Sequence, residues 1–162
     1  MTFIPAGFVP LFRTSPFLDA LGPFYQRAEG DGMVIGLRVA ERHTNARGTA
    51  HGGLLATIAD IALGYNASYI GVEKRPGAVP TVALTTATLS VDFAGVAALG
   101  DWVEARVDVQ KVGGRLAFAN AYLSVGDQRI VRASAVFAAA PAVASGGERP
   151  RATVVPREDG GR

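Results

Sequence analysis

The sequence predicts an α+β domain, an antiparallel sheet of about five to six strands packed on one long helix. Three observations carry that expectation. Apolar positions alternate with polar ones in four segments after residue 32, the last three joined by short turns. One helix-length apolar run, residues 54–70, separates the first segment from the others. A chain of 162 residues, 49% hydrophobic and 19% charged, has material for one core and no room for two catalytic domains.

Each element has its own signal. Over residues 33–42, Met33, Ile35, Leu37 and Val39 fall on one side with Arg38 and Arg42 on the other, the period of two of a half-buried strand. Thr81 to Phe93 is rich in Thr and Val. Val103, Ala105, Val107 and Val109 alternate with Glu104, Arg106, Asp108 and Gln110, and Leu116–Val125 and Ile130–Ala138 complete the strand set. Gly113-Gly114 and Gly126-Asp127 supply hairpin turns. Upstream, Ser15 is placed to cap a short helix that begins with Pro16 and stops at Gly22-Pro23. The expected organisation is an N-terminal segment with a short helix over 1–29, a folded domain over 30–140 and a flexible tail over 141–162. In that tail Pro, Gly, Ala and mixed charges offer too little patterned apolar surface to offset ordering entropy.

Composition removes whole classes of chemistry. With no Cys there is no thiolate nucleophile, disulfide framework or Cys-ligated metal, and His43 and His51 are the only imidazoles. Two His eight apart with one nearby Asp are too few for a catalytic metal site. A net charge of +2 behind a pI near 9.3 is a small excess rather than a basic stripe, so no nucleic-acid partner is expected. Neither a G-x-S-x-G elbow nor a phosphate-binding glycine loop occurs, and no cofactor is called for. The N-terminus lacks the basic and apolar regions of a signal peptide, and no apolar run reaches membrane-spanning length, so a soluble cytoplasmic protein is expected, with no membrane partner.

Function concentrates in Gly48–Val72, where Asp60 is the only charged residue. On a helix over 54–70, Leu54, Leu55, Ile58, Ala62, Tyr65 and Tyr69 share one face, while Gly53, Ala56, Asp60, Leu63, Gly64 and Ala67 share the other. The second face is small enough for another backbone to approach, and the simplest occupant is the same face of a second subunit. A carboxylate there is costly to desolvate unpaired. It either bonds to a neighbouring Thr, Ser or amide in a wet groove, or acts as a general base or nucleophile in a cleft. His51-Gly52-Gly53 opens the helix with side chains that leave its free N–H groups uncovered, a place where a carbonyl oxygen can dock. His51 taken alone reads equally as a hydrogen-bonding turn residue, and the glycines as a tight strand-to-helix turn. Asp60 stands roughly 10 to 12 Å beyond the first turn at 1.5 Å per residue. One carbonyl cannot touch both in one chain, so a catalytic Asp60 needs donors from a second subunit.

The run His43-x-Asn45-x-x-Gly48-x-x-His51-Gly52-Gly53, followed by Asp60 and Gly64, resembles the PaaI-type hotdog-fold acyl-CoA thioesterases, and the resemblance extends over about residues 30–139. TLSVDFAGVA at 88–97 and the hairpin Lys111–Phe118 fit the same pattern. It implies a sheet wrapped round the long helix, paired as a homodimer and often as a homotetramer. It also implies hydrolysis of an aryl- or short- to medium-chain acyl-CoA. Carried over residue by residue, Asp60 activates water or attacks the thioester and Gly53 polarises the carbonyl through its N–H. His51 and Asn45 orient the thioester and the nucleophile or water, and Thr86 assists the water. Gly52 and Tyr65 border the substrate, and Lys111, Val112, Gly113, Gly114 and Arg115 line the pantetheine and nucleotide. This chain departs from the pattern at Ala94-Gly95-Val96, which stands where a frequent Leu-Arg-Pro would bring a basic residue toward the CoA phosphates; Arg47, Lys111, Arg115 and Arg132 replace it by charge alone. Two relatives of the fold offer other readings. A non-catalytic acyl-CoA-binding protein would not need Asp60, and an enoyl-CoA hydratase would need an Asp and a His five apart, which this chain lacks.

Overall fold

The structure, a computed structural model, describes residues 3–70 and 82–141. Among them seven strands form one antiparallel sheet: β1 Val9–Pro10, β2 Phe24–Glu29, β3 Gly32–Arg38, β4 Val82–Phe93, β5 Trp102–Val112, β6 Leu116–Val125 and β7 Gln128–Pro141. Their spatial order is β1-β2-β3-β5-β6-β7-β4. A short helix α1, Pro16–Leu21, is capped by Ser15, whose Oγ accepts from the Leu18 N–H at 3.3 Å. The long helix α2, Gly52–Ile70, packs against β3, β4, β5, β6 and β7. Residues 142–162, expected as a tail, lie outside the described residues.

The core forms where α2 meets the sheet. Leu54, Leu55, Ile58, Ala59, Ala62, Leu63, Asn66 and Ala67 are all at most 6% exposed. Burying each Leu or Ile contributes about 2 kcal/mol. Beneath them the inner faces of β6 and β7 are largely alanine: Ala117, Ala119 and Ala121 on one, Ala133 and Ala135 on the other, all buried. A floor of methyl groups lets the helix settle low on the sheet, and the large residues Leu123, Val131 and Phe137 close its ends. This contact is wider than the predicted apolar face. Leu63 and Ala67, assigned to the subunit-facing side, are fully buried because the curled sheet reaches more than half-way round the helix. Tyr69 is exposed, and Gly64 meets Phe137 of its own chain, where a Cβ would lie 3.4 Å from the ring.

Two strands stand where an irregular N-terminal segment was expected. β2 pairs with β3 through a hairpin whose turn uses Gly30 at φ +57, a left-handed conformation suited to glycine, and β1 adds to its outer edge. As a result β3 is not half-buried: Val34, on the face opposite Ile35, is 1% exposed. Gly36, on that outer face, is bare because Trp102 and Phe8 cross over it; a Cβ there would overlap the indole. Phe8 meets Trp102 edge-to-face at 5.0 Å, and the Arg38 guanidinium lies 5.2 Å from the same ring.

Asn66 is the polar residue buried in this helix–sheet contact. Its Oδ1 accepts the Met33 N–H at 2.8 Å, while Nδ2 donates to the Met33 and Ala62 carbonyls at 3.0 and 2.9 Å. It ties the last turns of α2 to the first residues of β3, and satisfying every polar atom makes its burial tolerable.

Candidate active site

The start of α2 is built by its neighbouring loops. Asn45 organises the turn before it: its Oδ1 accepts from the Arg47 N–H at 2.8 Å, its Nδ2 donates to Thr49 Oγ1 at 3.1 Å, and its own N–H bonds the Thr49 carbonyl. Gly48 closes the turn at φ +74, a conformation open to glycine at little cost. The chain then runs back beside residues 97–98, with the Ala50 N–H on the Ala97 carbonyl at 2.8 Å. Asn45 is thus occupied within its own loop, with its second Nδ2 hydrogen left for orienting work.

His43 pins this assembly from below. It is 3% exposed; Nδ1 accepts from the Ala40 N–H at 2.9 Å and Nε2 donates to the Leu21 carbonyl at 2.6 Å. Burial holds its pKa below the usual histidine value, since the charged ring would be desolvated and would lose its Nδ1 acceptor role. The sign follows from linkage. Above about pH 6.5 the ring is neutral in both states and stability is full; as pH falls below 6.5 the unfolded chain takes up the proton first, and stability declines until the folded pKa is reached. Urea denaturation at pH 7.5 and 5.5 is expected to show that loss in the wild type and a shallower one in His43→Gln.

At the helix start the Leu54 and Leu55 N–H groups bond the His51 carbonyl at 3.0 and 3.2 Å. The Gly53 N–H is not uncovered as the sequence implied. It donates to His51 Nδ1 at 2.9 Å, because the two-residue spacing lets the imidazole fold back over the first turn in the manner of a capping side chain. The Phe93 ring lies against Gly52, where a Cβ would stand 3.4 Å from it. Thr57, which the sequence reading passed over, donates from Oγ1 to the Gly53 carbonyl at 2.9 Å and lies between Gly53 and Asp60.

Asp60 follows two turns later, half-buried, and Thr86 Oγ1 donates to its Oδ1 at 2.9 Å. Thr86 pairs with Phe137 in the β4–β7 ladder, so both face the helix. A bulge follows between Thr86 and Thr88, shifting the inward set from Leu84 and Thr86 to Leu89, Val91 and Phe93. β4 is the edge strand of the sheet, paired to β7 alone among the described residues, so the Asp60–Thr86 pair stands at an open flank.

The other expected positions separate. Tyr65 turns from Asp60 toward the N-terminal segment, its hydroxyl on the Arg13 carbonyl at 3.3 Å and its ring 5.5 Å from Phe12; burial raises its pKa. The hairpin Val112, Gly113, Gly114, Arg115 closes with the Gly113 N–H on the Leu116 carbonyl. The lateral row Val112, Ala117, Phe137, Thr86 puts it at the Thr86 end of the sheet, with Lys111 and Arg115 exposed. Arg132 is paired with Asp92 at 2.7 Å, while Arg47 is exposed on the loop before α2.

A long helix wrapped by one antiparallel sheet, entered through a glycine-rich turn and carrying a lone carboxylate on its open flank, is a hotdog fold. The chain belongs to the Thioesterase superfamily, whose family pattern matches residues 47–131. It is 46% identical over 138 residues to a candidate esterase of Pseudomonas aeruginosa, spanning 85% of this chain and 98% of that protein. Among solved structures, zebrafish thioesterase superfamily member 2 is 26% identical, with a TM-score of 0.63 over 75% of this chain and 86% of its own. A variant of the phenylacetic acid degradation protein PaaI of Thermus thermophilus shares the fold at 22% identity and TM-score 0.64, covering 76% and 98%. So does a hypothetical thioesterase of Streptococcus pneumoniae, solved with coenzyme A, at 18% and 0.62, covering 73% and 89%. No helix among the described residues is long and apolar enough to cross a membrane.

Proposed function

We propose that the protein is an acyl-CoA thioesterase that cleaves aryl- or short- to medium-chain acyl-CoA to the free acid and CoA. The observation that carries this reading is the Asp60–Thr86 bond on the open flank of α2, beside the free edge of β4. The hydroxyl holds one carboxylate oxygen and leaves the other to act on water, or directly on the thioester carbon. In the water route the oxygen adds to the carbonyl carbon as its proton passes to Asp60. The tetrahedral oxyanion then collapses, the C–S bond breaks, and the Asp60 proton goes to the departing thiolate.

The carbonyl oxygen docks at the start of α2, where Gly52, Gly53 and His51 meet the positive end of the helix dipole. That position lies about 10 Å along the same helix from Asp60, at 1.5 Å per residue over seven residues. Two copies joined edge to edge through β4, with α2 helices antiparallel, bring Asp60 of one to the helix start of the other and generate two equivalent sites. Asn45 orients the thioester, and the Lys111–Arg115 hairpin and Arg47 offer charge to the CoA phosphates. A homotetramer of two such dimers and a cytoplasmic location complete the reading.

A panel of benzoyl-, phenylacetyl-, butyryl-, octanoyl- and palmitoyl-CoA, assayed by thiol release, tests it. Turnover of aryl or short- to medium-chain members is expected; a protein that binds them and hydrolyses none is an acyl-CoA-binding protein instead.

A further inference from the structure

We infer that the hydrogen-bond donor meeting the substrate carbonyl is His51 Nε2–H, with the Gly53 amide acting behind it as a positioning group. The inference rests on the thioesterase reading and concerns which atom of the helix start does the work. The Gly53 N–H is one of the donors that a helix leaves without an internal partner, and here it is spent on His51 Nδ1 at 2.9 Å. A neutral imidazole whose Nδ1 accepts a hydrogen bond carries its own hydrogen on Nε2. The bond therefore selects one tautomer and turns a donor outward from an exposed ring. The amide and the helix dipole withdraw electron density through Nδ1, which strengthens the Nε2–H as a donor.

The competing arrangement carries a cost. For the carbonyl to reach the Gly53 amide it must first expel the imidazole from a formed hydrogen bond, and the Phe93 ring already lies along the neighbouring Gly52. Accepting from Nε2 breaks nothing. No proton leaves the ring in this role: the N–H shares its hydrogen with the developing oxyanion and recovers it when the C–S bond breaks.

Two variants separate the possibilities, assayed with the best substrate of the panel. In His51→Asn the shorter side chain keeps an oxygen over the Gly53 amide but has no atom where Nε2 stood; in His51→Ala the amide is set free. If Nε2–H is the donor, both lose on the order of 10²-fold in kcat with little change in KM or Tm. A His51→Ala variant as active as the wild type, or more active, overturns the inference, because the uncovered amide is then sufficient. Nitrogen-15 spectra of the imidazoles at neutral pH, with His51 assigned against His43→Gln, are expected to show His51 protonated on Nε2 and bare on Nδ1; the opposite tautomer also overturns it. Wild-type protein inactive on every thioester would sink the thioesterase reading and this one together, whereas an active wild type with active His51→Ala sinks this one alone.

Discussion

Asp60→Asn is expected to lower kcat/KM on the preferred acyl-CoA by on the order of 10³-fold while leaving Tm and sedimentation unchanged. Two features separate the chemistry from the fold. The amide is isosteric with the carboxylate and still offers an oxygen to Thr86 Oγ1, so the bond seen at 2.9 Å survives. What disappears is the negative oxygen that takes the proton of water or attacks the carbon. Thr86→Ala removes the hydroxyl that fixes the carboxylate and is expected to cost less, about tenfold, the worth of one hydrogen bond to a charged group. Steady-state assays of both variants check the order. An Asp60→Asn protein with wild-type turnover would remove Asp60 from the mechanism, and a Thr86 variant more damaged than the Asp60 variant would reverse the roles.

The sequence carried the site further than it carried the sheet, for physical reasons visible at particular residues. Asp60 was legible because a lone carboxylate in an apolar helix demands a partner, and Thr86 supplies it. The bulge was also written in the strand, as a slip of phase: Leu84 and Thr86 obey one alternation, Leu89, Val91 and Phe93 the other. β2 was missed because Tyr25, Gln26, Arg27 and Glu29 give no period of two, though Gly30-Asp31 before the next strand was a hairpin signal. The helix faces were misjudged at Leu63 and Ala67 because a helical wheel assumes a flat partner, whereas a curled sheet covers a wider arc. Asn66 carries no sequence mark that separates a satisfied buried amide from a solvated one; only the Met33 backbone beside it decides. The capping of Gly53 by His51 depends on one imidazole rotamer, which spacing permits without selecting.

Mixing two inactive variants is expected to restore activity, because the proposed site takes its parts from different chains. Gly53→Pro deletes the N–H that backs His51 at a helix position where proline is tolerated, the first turn. Asp60→Asn deletes the base. Each homodimer has two damaged sites. In a heterodimer the intact Asp60 of one chain faces the intact helix start of the other, while both lesions fall together in the second site. Random pairing makes half the dimers hetero, each with one good site in two, so roughly a quarter of wild-type activity returns after co-expression or mixed refolding. The separation of about 10 Å between Gly53 and Asp60 along one rigid helix is what forces this result. If both groups served one carbonyl within a single chain, no pairing could reunite them, and the mixture would stay as inactive as its components. Thiol-release assays on the co-expressed pair, purified through two different affinity tags to isolate the heterodimer, should read close to half of wild-type activity per chain. Activity at the level of the parental variants would place the whole site within one subunit and dismiss the antiparallel pairing of α2 across β4.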